Sequence, residues 1–450
     1  MSFAKKNKVV QKKNNKFLDI NKKIKNQASY GLLYKALAIL VSFISVPVLF
    51  NYLGKESYGI WVTIASILNW FIVFDFGLGL GLRNKLNESI AFKDFKVAKS
   101  LIISSYIFIS LITIALFILF LGLNFLFDWN AVLNTTLLDN IEFQDIITVA
   151  FAGFCLSFVL QIIYNLFYAL HDASKVELLK LSRQTIVFIP ILFLTTSKSN
   201  FSNLIKVSYI NSFLPIIVFV IFTIYFFKKH QYIFPKLSDF SLSNGLSILK
   251  LGGNFFIIKL SKLFLITLIP LLVTKFLGAK QTADFNIAYK YLSIVQMIFI
   301  IIVNPYWSAV TEKFSIGDFV WIKKSLKRTM FYSVIGLFLV IFLLLLSPYV
   351  LPLWIGEQLN LNLTLVWWVA LFVGVFIITE PLLIFLNGMG EIKIQTYYSI
   401  VIIICLIPCN ILFFRFCNLG FSSFIITPVV FRLVRSIHAA FQIRSLLSEK

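Results

Sequence analysis

The sequence predicts an all-α protein that crosses a membrane about twelve times, as two six-helix lobes related by a parallel repeat. Three observations carry that prediction. The 450 residues are 59% apolar and 13% charged, with a mean hydropathy of +0.90, whereas a soluble domain carries roughly a quarter charged residues. Apolar runs of spanning length, about 20 residues each, recur from residue 30 to residue 441 with no polar stretch long enough for a separate domain. The third observation is an echo at an offset of 224 residues: in 87–100 and 311–324, Glu88 falls on Glu312, Asp94 on Asp318, Phe95 on Phe319 and Lys99 on Lys323. A β-barrel is excluded because barrel strands read as alternating segments of about ten residues, and these runs are continuous.

Residues 1–29 hold nine lysines and no apolar run. They lack the hydrophobic core and small-residue cleavage site of a secretory signal, so a disordered basic cytoplasmic tail, drawn to anionic headgroups, is expected. Twelve spans follow, at about 30–50, 58–80, 100–124, 146–170, 178–196, 207–227, 252–274, 284–306, 330–350, 363–385, 395–415 and 421–441. The fifth is short and polar. With the N-terminus inside, the inner segments, taken with Lys180 and Arg183 at the inner end of the fifth span, carry 29 Lys and Arg residues and the outer loops 5. That asymmetry orients the chain with both termini cytoplasmic. The expected lobes are 30–227 and 252–441, joined by a connection at 228–251 that lies on the inner membrane surface, with a cytoplasmic tail at 442–450.

The repeat reaches beyond that echo. Lys35 maps onto Lys259, Leu53 onto Leu277 and Gly54 onto Gly278 at the same offset. Six spans per half is an even number, so both halves enter the membrane in the same direction. Each half has a cytoplasmic landing after its second span, marked by Arg83, Lys85, Asp94 and Lys99 in the first and by Asp318 and Lys323 in the second. In the second landing Phe314, Phe319, Ile322 and Leu326 recur at steps of three to five, which predicts an amphipathic helix at the inner interface.

Charges inside spans are the informative positions, because a cation at a helix centre costs roughly 2.5–3.5 kcal/mol unless it faces a cavity or partner. Lys35, Lys259, Lys262, Lys290, Arg432 and Arg435 are embedded, against the anions Asp75 and Glu380. A water-filled cavity that receives an anionic ligand accounts for the surplus; snorkelling to the headgroups accounts for single lysines near span ends. The stretch DFGLGLGLR at 75–83 has neither a preceding strand nor a following Gly-Lys-Ser/Thr, which excludes a nucleotide fold. Its glycines instead allow close helix approach or a bend, and Asp75 either pairs with a cation or closes a helix end.

Four cysteines and three histidines show no metal or disulfide spacing, so neither metal nor cofactor is expected. Nucleic acid is not an expected partner, since the basic residues are distributed by membrane side. The longest outer loop, 125–145, holds Asp128, Asp139, Glu142 and Asp145 without a base or nucleophile cluster, which argues against an enzyme.

The motifs YLGKESYGIW (52–61) and DFGLGLGLRNKL (75–86), followed by NPYWSAVTE (304–312), PLWIGE (352–357) and LNGMGEIKIQ (386–395), resemble the polysaccharide flippases of the multidrug/oligosaccharidyl-lipid/polysaccharide exporter superfamily. The resemblance covers nearly the whole chain. It implies a two-lobe, twelve-helix transporter of the bacterial inner membrane that moves an undecaprenyl-diphosphate-linked oligosaccharide, an O-antigen-type repeat unit, to the periplasmic leaflet. Partners implied are that lipid-linked glycan, membrane lipids, and the polymerase and chain-length proteins of the pathway. The family's cavity cations fall here on Lys35, Lys259, Lys262, Lys290 and Arg432, with Asp75 and Glu380 as candidates for coupling or gating. A lipid II flippase shares the anionic carrier; a multidrug antiporter would favour embedded carboxylates.

Overall fold

The computed structural model describes residues 29–448 except 76, 136–138, 171, 195–201, 254–255, 316, 357–361, 391–392 and 418. The expected basic tail therefore lies outside the described residues up to residue 28. Each expected span corresponds to helix, and the described residues contain no strand. Helix α1 (Ser29–Leu53) is followed by α2 (Lys55–Trp70), a 3-10 turn at Phe71–Asp75, and α3 (Leu78–Ala91). Then come α4 (Phe95–Asn124), a short α5 (Trp129–Leu133), α6 (Asn140–Leu160) with its continuation α7 (Ile162–Ala169), α8 (Ala173–Leu194) and α9 (Ser202–Lys229). After α10 (Leu242–Gly253), the second half runs α11 (Phe256–Leu277), α12 (Ala279–Val303), α13 (Pro305–Ser315), α14 (Phe319–Ile355), α15 (Leu363–Gly388), α16 (Lys393–Phe416) and α17 (Ser423–Ser448). Nine helices among the described residues are long and apolar enough to cross a membrane. The second span is broken after Trp70 by the 3-10 turn at Phe71–Asp75, and the fifth carries Lys175, Glu177, Lys180 and Arg183; the seventh is an apolar helix over its described stretch, Leu263–Leu277.

The repeat is visible in the backbone. Gly54 and Gly278 both precede a helix at positive φ, 77° and 91°, each with ψ 162°, a region closed to residues with a Cβ. Asp94 and Asp318 both cap the next helix, accepting from the amides of Val97 and Trp321 at 3.0 and 3.1 Å. Before each cap stands a residue of positive φ, Lys93 at 59° and Gly317 at 75°. The outer-loop acids are also caps: Asp128 accepts from the Ala131 amide at 3.1 Å, and Asp139 with Glu142 forms a capping box on α6. These side chains answer the unmet amides of helix starts.

Helix α14 shows why the chain needs lipid around it. Its 37 residues extend about 55 Å, well beyond the roughly 30 Å apolar core of a bilayer. The buried face carries Ser325, Thr329, Ser333, Gly336 and Ser347, while Phe331, Phe338, Phe342, Leu345 and Leu353 are exposed. Small residues inward and large apolar ones outward is the pattern of a helix packed in hydrocarbon. The expected amphipathic surface helix is corrected here. Residues 319–328, with Lys323, Lys324, Lys327 and Arg328 exposed, are the overhanging first turns of α14.

The 228–251 connection is held against α3 and α4: Asn244 donates to Ser100 Oγ at 2.9 Å and Ser104 to the Ser241 carbonyl at 3.0 Å. A Cβ on Gly81 would lie 2.3 Å from the Ile248 carbonyl oxygen, so the glycine stretch serves close approach. At the other end, α17 continues to Ser448, so the tail expected from 442 is helical as far as it is described.

Helices within each half pack mainly on one another, and α2 joins the halves by packing against α11 and α12. One apolar cluster crosses both halves and contains Leu53, Ile60, Val273 and Ile287. Another, with Leu82, Ile102, Phe167 and Phe219, contains first-half residues and Ile248 of α10.

Candidate functional site: a cationic cavity closed at one end

A cavity of about 500 Å³ lies within the first half, walled by α1, α2, α6, α8 and α9, with Asn286 and Lys290 of α12 closing it from the second half. Its polar lining consists of serines (Ser42, Ser45, Ser66, Ser157, Ser212), amides (Asn69, Gln184, Asn211, Asn286), Tyr58, Trp61 and two cations, Arg183 and Lys290. No carboxylate is among the described lining residues. Lys290 Nζ donates to Ser42 Oγ at 3.1 Å, and among the described residues neither cation forms an ion pair. The wall carries two positive charges and many hydroxyl and amide groups on an apolar frame.

The end of the bundle holding the α1–α2 and α11–α12 turns is locked across the halves. Lys55 Nζ meets Asp284 Oδ1 at 2.7 Å, and Lys280 Nζ meets Glu56 Oε2 at 3.1 Å. Glu56 and Lys280 are each other's counterparts in the repeat, so this pair sits on the pseudo-twofold axis. Deeper in, Tyr58 donates to Asn286 Oδ1 at 2.7 Å, and the hydroxyls of Thr63, Thr274 and Thr282 form a chain with spacings of 2.5 and 2.6 Å. Gly59 permits this approach, since a Cβ there would lie 1.8 Å from the Ala279 carbonyl oxygen.

The residues singled out from sequence separate into several environments. Lys290 lines the cavity. Lys35 is half-buried on α1, about two turns from Ser42, and does not line it. The side chains of Lys259 and Lys262 lie outside the described residues. Arg432 is not a cavity residue: its Nη2 is 2.5 Å from Glu380 Oε2, its Nε donates to Thr379 Oγ1 at 2.7 Å, and its guanidinium lies 4.0 Å from the centre of the Phe376 ring. Glu380 is thereby a structural partner, buried within the second half. Asp75 accepts from the Gly77 amide at 3.1 Å, a helix-end role, and borders a smaller cavity of about 230 Å³ with Asn165, Tyr168 and Lys180. None of the landing residues lines the main cavity. Arg83 stacks over Tyr168 at 4.9 Å, Lys85 and Lys99 are half-buried, Lys323 is exposed, and Asp94 and Asp318 are caps.

Sequence reasoning missed Arg183 and Asp284. Arg183 entered only among the inner-side charges, yet α8 places it in the cavity wall. The signal was present in the polarity of the fifth span, because a span facing a wet cavity loses apolar residues on that face. Asp284 stands at a span end, where an acidic residue reads as an ordinary loop charge.

Residues 24–310, more than half of the chain, match the sequence profile of a family described as polysaccharide biosynthesis protein. The chain belongs to that family. A relative in Yersinia pseudotuberculosis, named "Putative O-antigen export protein", is 23% identical over 372 residues, covering 80% of this chain and 82% of its own. Among solved structures, this family member resembles an inward-facing MATE family multidrug transporter of the MOP superfamily with TM-score 0.76 and 16% identity, over 94% of this chain and 98% of the other. An outward-facing MATE structure gives TM-score 0.60 at 16% identity, over 95% and 98%. A MOP superfamily transporter from Pyrococcus furiosus, described as having a binding pocket of reversed polarity, gives 0.66 at 15% identity, over 94% and 95%. The polysaccharide biosynthesis family member is thus a multi-pass membrane protein with the MOP transporter fold.

Proposed function

We propose that this protein is a flippase that carries an undecaprenyl-diphosphate-linked oligosaccharide repeat unit from the cytoplasmic to the periplasmic leaflet by alternating access. The observation that carries the reading is the cavity wall: Arg183 and Lys290 among serines and amides, with no carboxylate among the described lining residues. A diphosphate brings about two negative charges, and the sugars bring hydroxyls. Cation–phosphate attraction strengthens as water is excluded, and an aromatic wall such as Trp61 gives sugar rings an apolar face. A cationic drug would meet repulsion there, which disfavours a multidrug antiporter.

In this reading the locked turn end faces the periplasm, the basic landings and both termini lie in the cytoplasm, and the protein resides in the inner membrane. The greater likeness to an inward-facing than to an outward-facing transporter supports a cytoplasm-open state. Lys35, near the landing end of α1, guides the diphosphate inward, and Lys259 with Lys262 complete the hold from the second lobe. Outward opening separates Lys55 from Asp284 and Glu56 from Lys280, releasing cargo as the two lobes part.

The test is export of surface polysaccharide in cells lacking the native protein. Arg183→Gln with Lys290→Gln is expected to lower export at least tenfold at unchanged protein level, whereas Lys323→Gln leaves it unchanged. Full export by the double variant at normal abundance overturns the cavity assignment.

A further inference from the structure

A buried group of side chains in the second half is left incomplete by everything described so far. Glu380 of α15, Gln395 of α16, and Arg432 and Arg435 of α17 are each at most 7% exposed. Arg432 is satisfied by Glu380 and Thr379. Arg435 makes one bond, from Nη2 to Gln395 Oε1 at 2.7 Å, and its Nε has no acceptor. A guanidinium only donates, so the Gln395 amide must turn its oxygen to Arg435 and its nitrogen away. That nitrogen also has no acceptor. Two unmet donors therefore sit on two side chains already joined to each other. Among the described residues two guanidiniums share one carboxylate, Glu380, which faces both Arg432 and Arg435, so the group keeps one positive charge in excess.

We propose that this site holds a small monovalent anion, chloride in the simplest case, between Arg435 Nε and the Gln395 amide nitrogen. A buried positive charge in excess of its carboxylates is costly in a low-dielectric interior, and so is each buried donor without an acceptor. A single halide answers all three deficits. Water would meet the donors and leave the charge; a metal cation would add to it. Gln395 stands in the first turn of α16, whose positive dipole end also favours an anion. Neither Arg435 nor Gln395 lines the main cavity, so the anion is a resident of the second half and separate from cargo.

The experiment follows thermal unfolding of the purified full-length protein as sodium gluconate is replaced by sodium chloride at constant ionic strength. The midpoint is expected to rise saturably with chloride, as it does for a ligand of the native state. Arg435→Met is expected to abolish the dependence. Should that variant not fold, Gln395→Met is expected to move the half-saturating chloride upward about tenfold, the loss of one hydrogen bond to a charged group. Crystals grown with bromide are expected to show an anomalous peak between the two side chains. A midpoint indifferent to the salt, or a chloride effect that survives in Arg435→Met or is unshifted in Gln395→Met, overturns the site. Anomalous maps without halide at that place do the same.

Discussion

The cavity and the interior of the second half hold the same kind of residue in opposite ways. In the cavity, Arg183 and Lys290 face space lined by hydroxyls and amides, with no carboxylate among the described lining residues. Within the second half, Arg432 is enclosed by Glu380, Thr379 and the Phe376 ring. Among the described residues the first pair has no carboxylate partner, whereas Arg432 is neutralised by Glu380. A repeat that preserves the turns at Gly54 and Gly278 and the caps at Asp94 and Asp318 has thus left the placement of charge free to diverge. Backbone geometry is the shared inheritance, and function lies in the unshared side chains.

The sharpest way to break this comparison is to remove one partner of the enclosed pair. Arg432→Ala strands Glu380 in the interior and is expected to cost about 3–5 kcal/mol of stability, read as earlier unfolding and low abundance. Replacing both, Arg432→Leu with Glu380→Leu, is expected to recover most of that loss. Arg183→Gln, by contrast, is expected to leave unfolding within about 0.5 kcal/mol of the parent while export falls. If both single variants lose stability equally, the distinction between cavity and structural cations fails.

The lock at the turn end sharpens the comparison along the transport axis. Lys55→Ala leaves the buried Asp284 without its ammonium partner, a penalty of about 1–3 kcal/mol on the locked state. Its expected effect is to move the population toward the form open at that end. A cysteine at Ser66, in a background lacking Cys155, Cys405, Cys409 and Cys417, is then expected to react faster with a membrane-impermeant thiol reagent added from the periplasmic side. Unchanged labelling would remove Lys55–Asp284 from the gate.

The smallest effect belongs to the pair on the pseudo-axis. Lys280 is largely exposed, so Lys280→Ala is expected to change stability by less than about 1 kcal/mol. The same labelling assay is expected to show a shift smaller than that of Lys55→Ala. Reversing both charges, Glu56→Lys with Lys280→Glu, is expected to restore parental labelling.

Much of this architecture was legible from residue order. Apolar run length located the helices, since the bilayer imposes a minimum length and leaves the backbone no other way to satisfy its hydrogen bonds. The offset of 224 residues marked the turns and caps that the backbone repeats. Boundaries were less legible. Residues 319–328 read as a separate surface helix because their polar face resembles one, and only the uninterrupted helix shows them as the overhang of α14. The same limit applies to 442–448, where charge suggested a tail and α17 simply continues.

By itself, then, the sequence determined that the chain is a helical membrane protein built on a repeat, with more embedded cations than anions. The tertiary structure decided what each cation faces. Lys290 and Arg432 are equivalent as embedded cations in a one-dimensional reading, and one lines a cavity while the other is held by Glu380, 52 positions away. Arg183, hidden in a polar span, joined the cavity because α8 turns that face toward α2 and α12. Hydropathy reports the solvent a segment expects, averaged over its faces. Which group stands opposite a charge depends on helices distant in sequence, and that pairing sets whether the charge is free to bind.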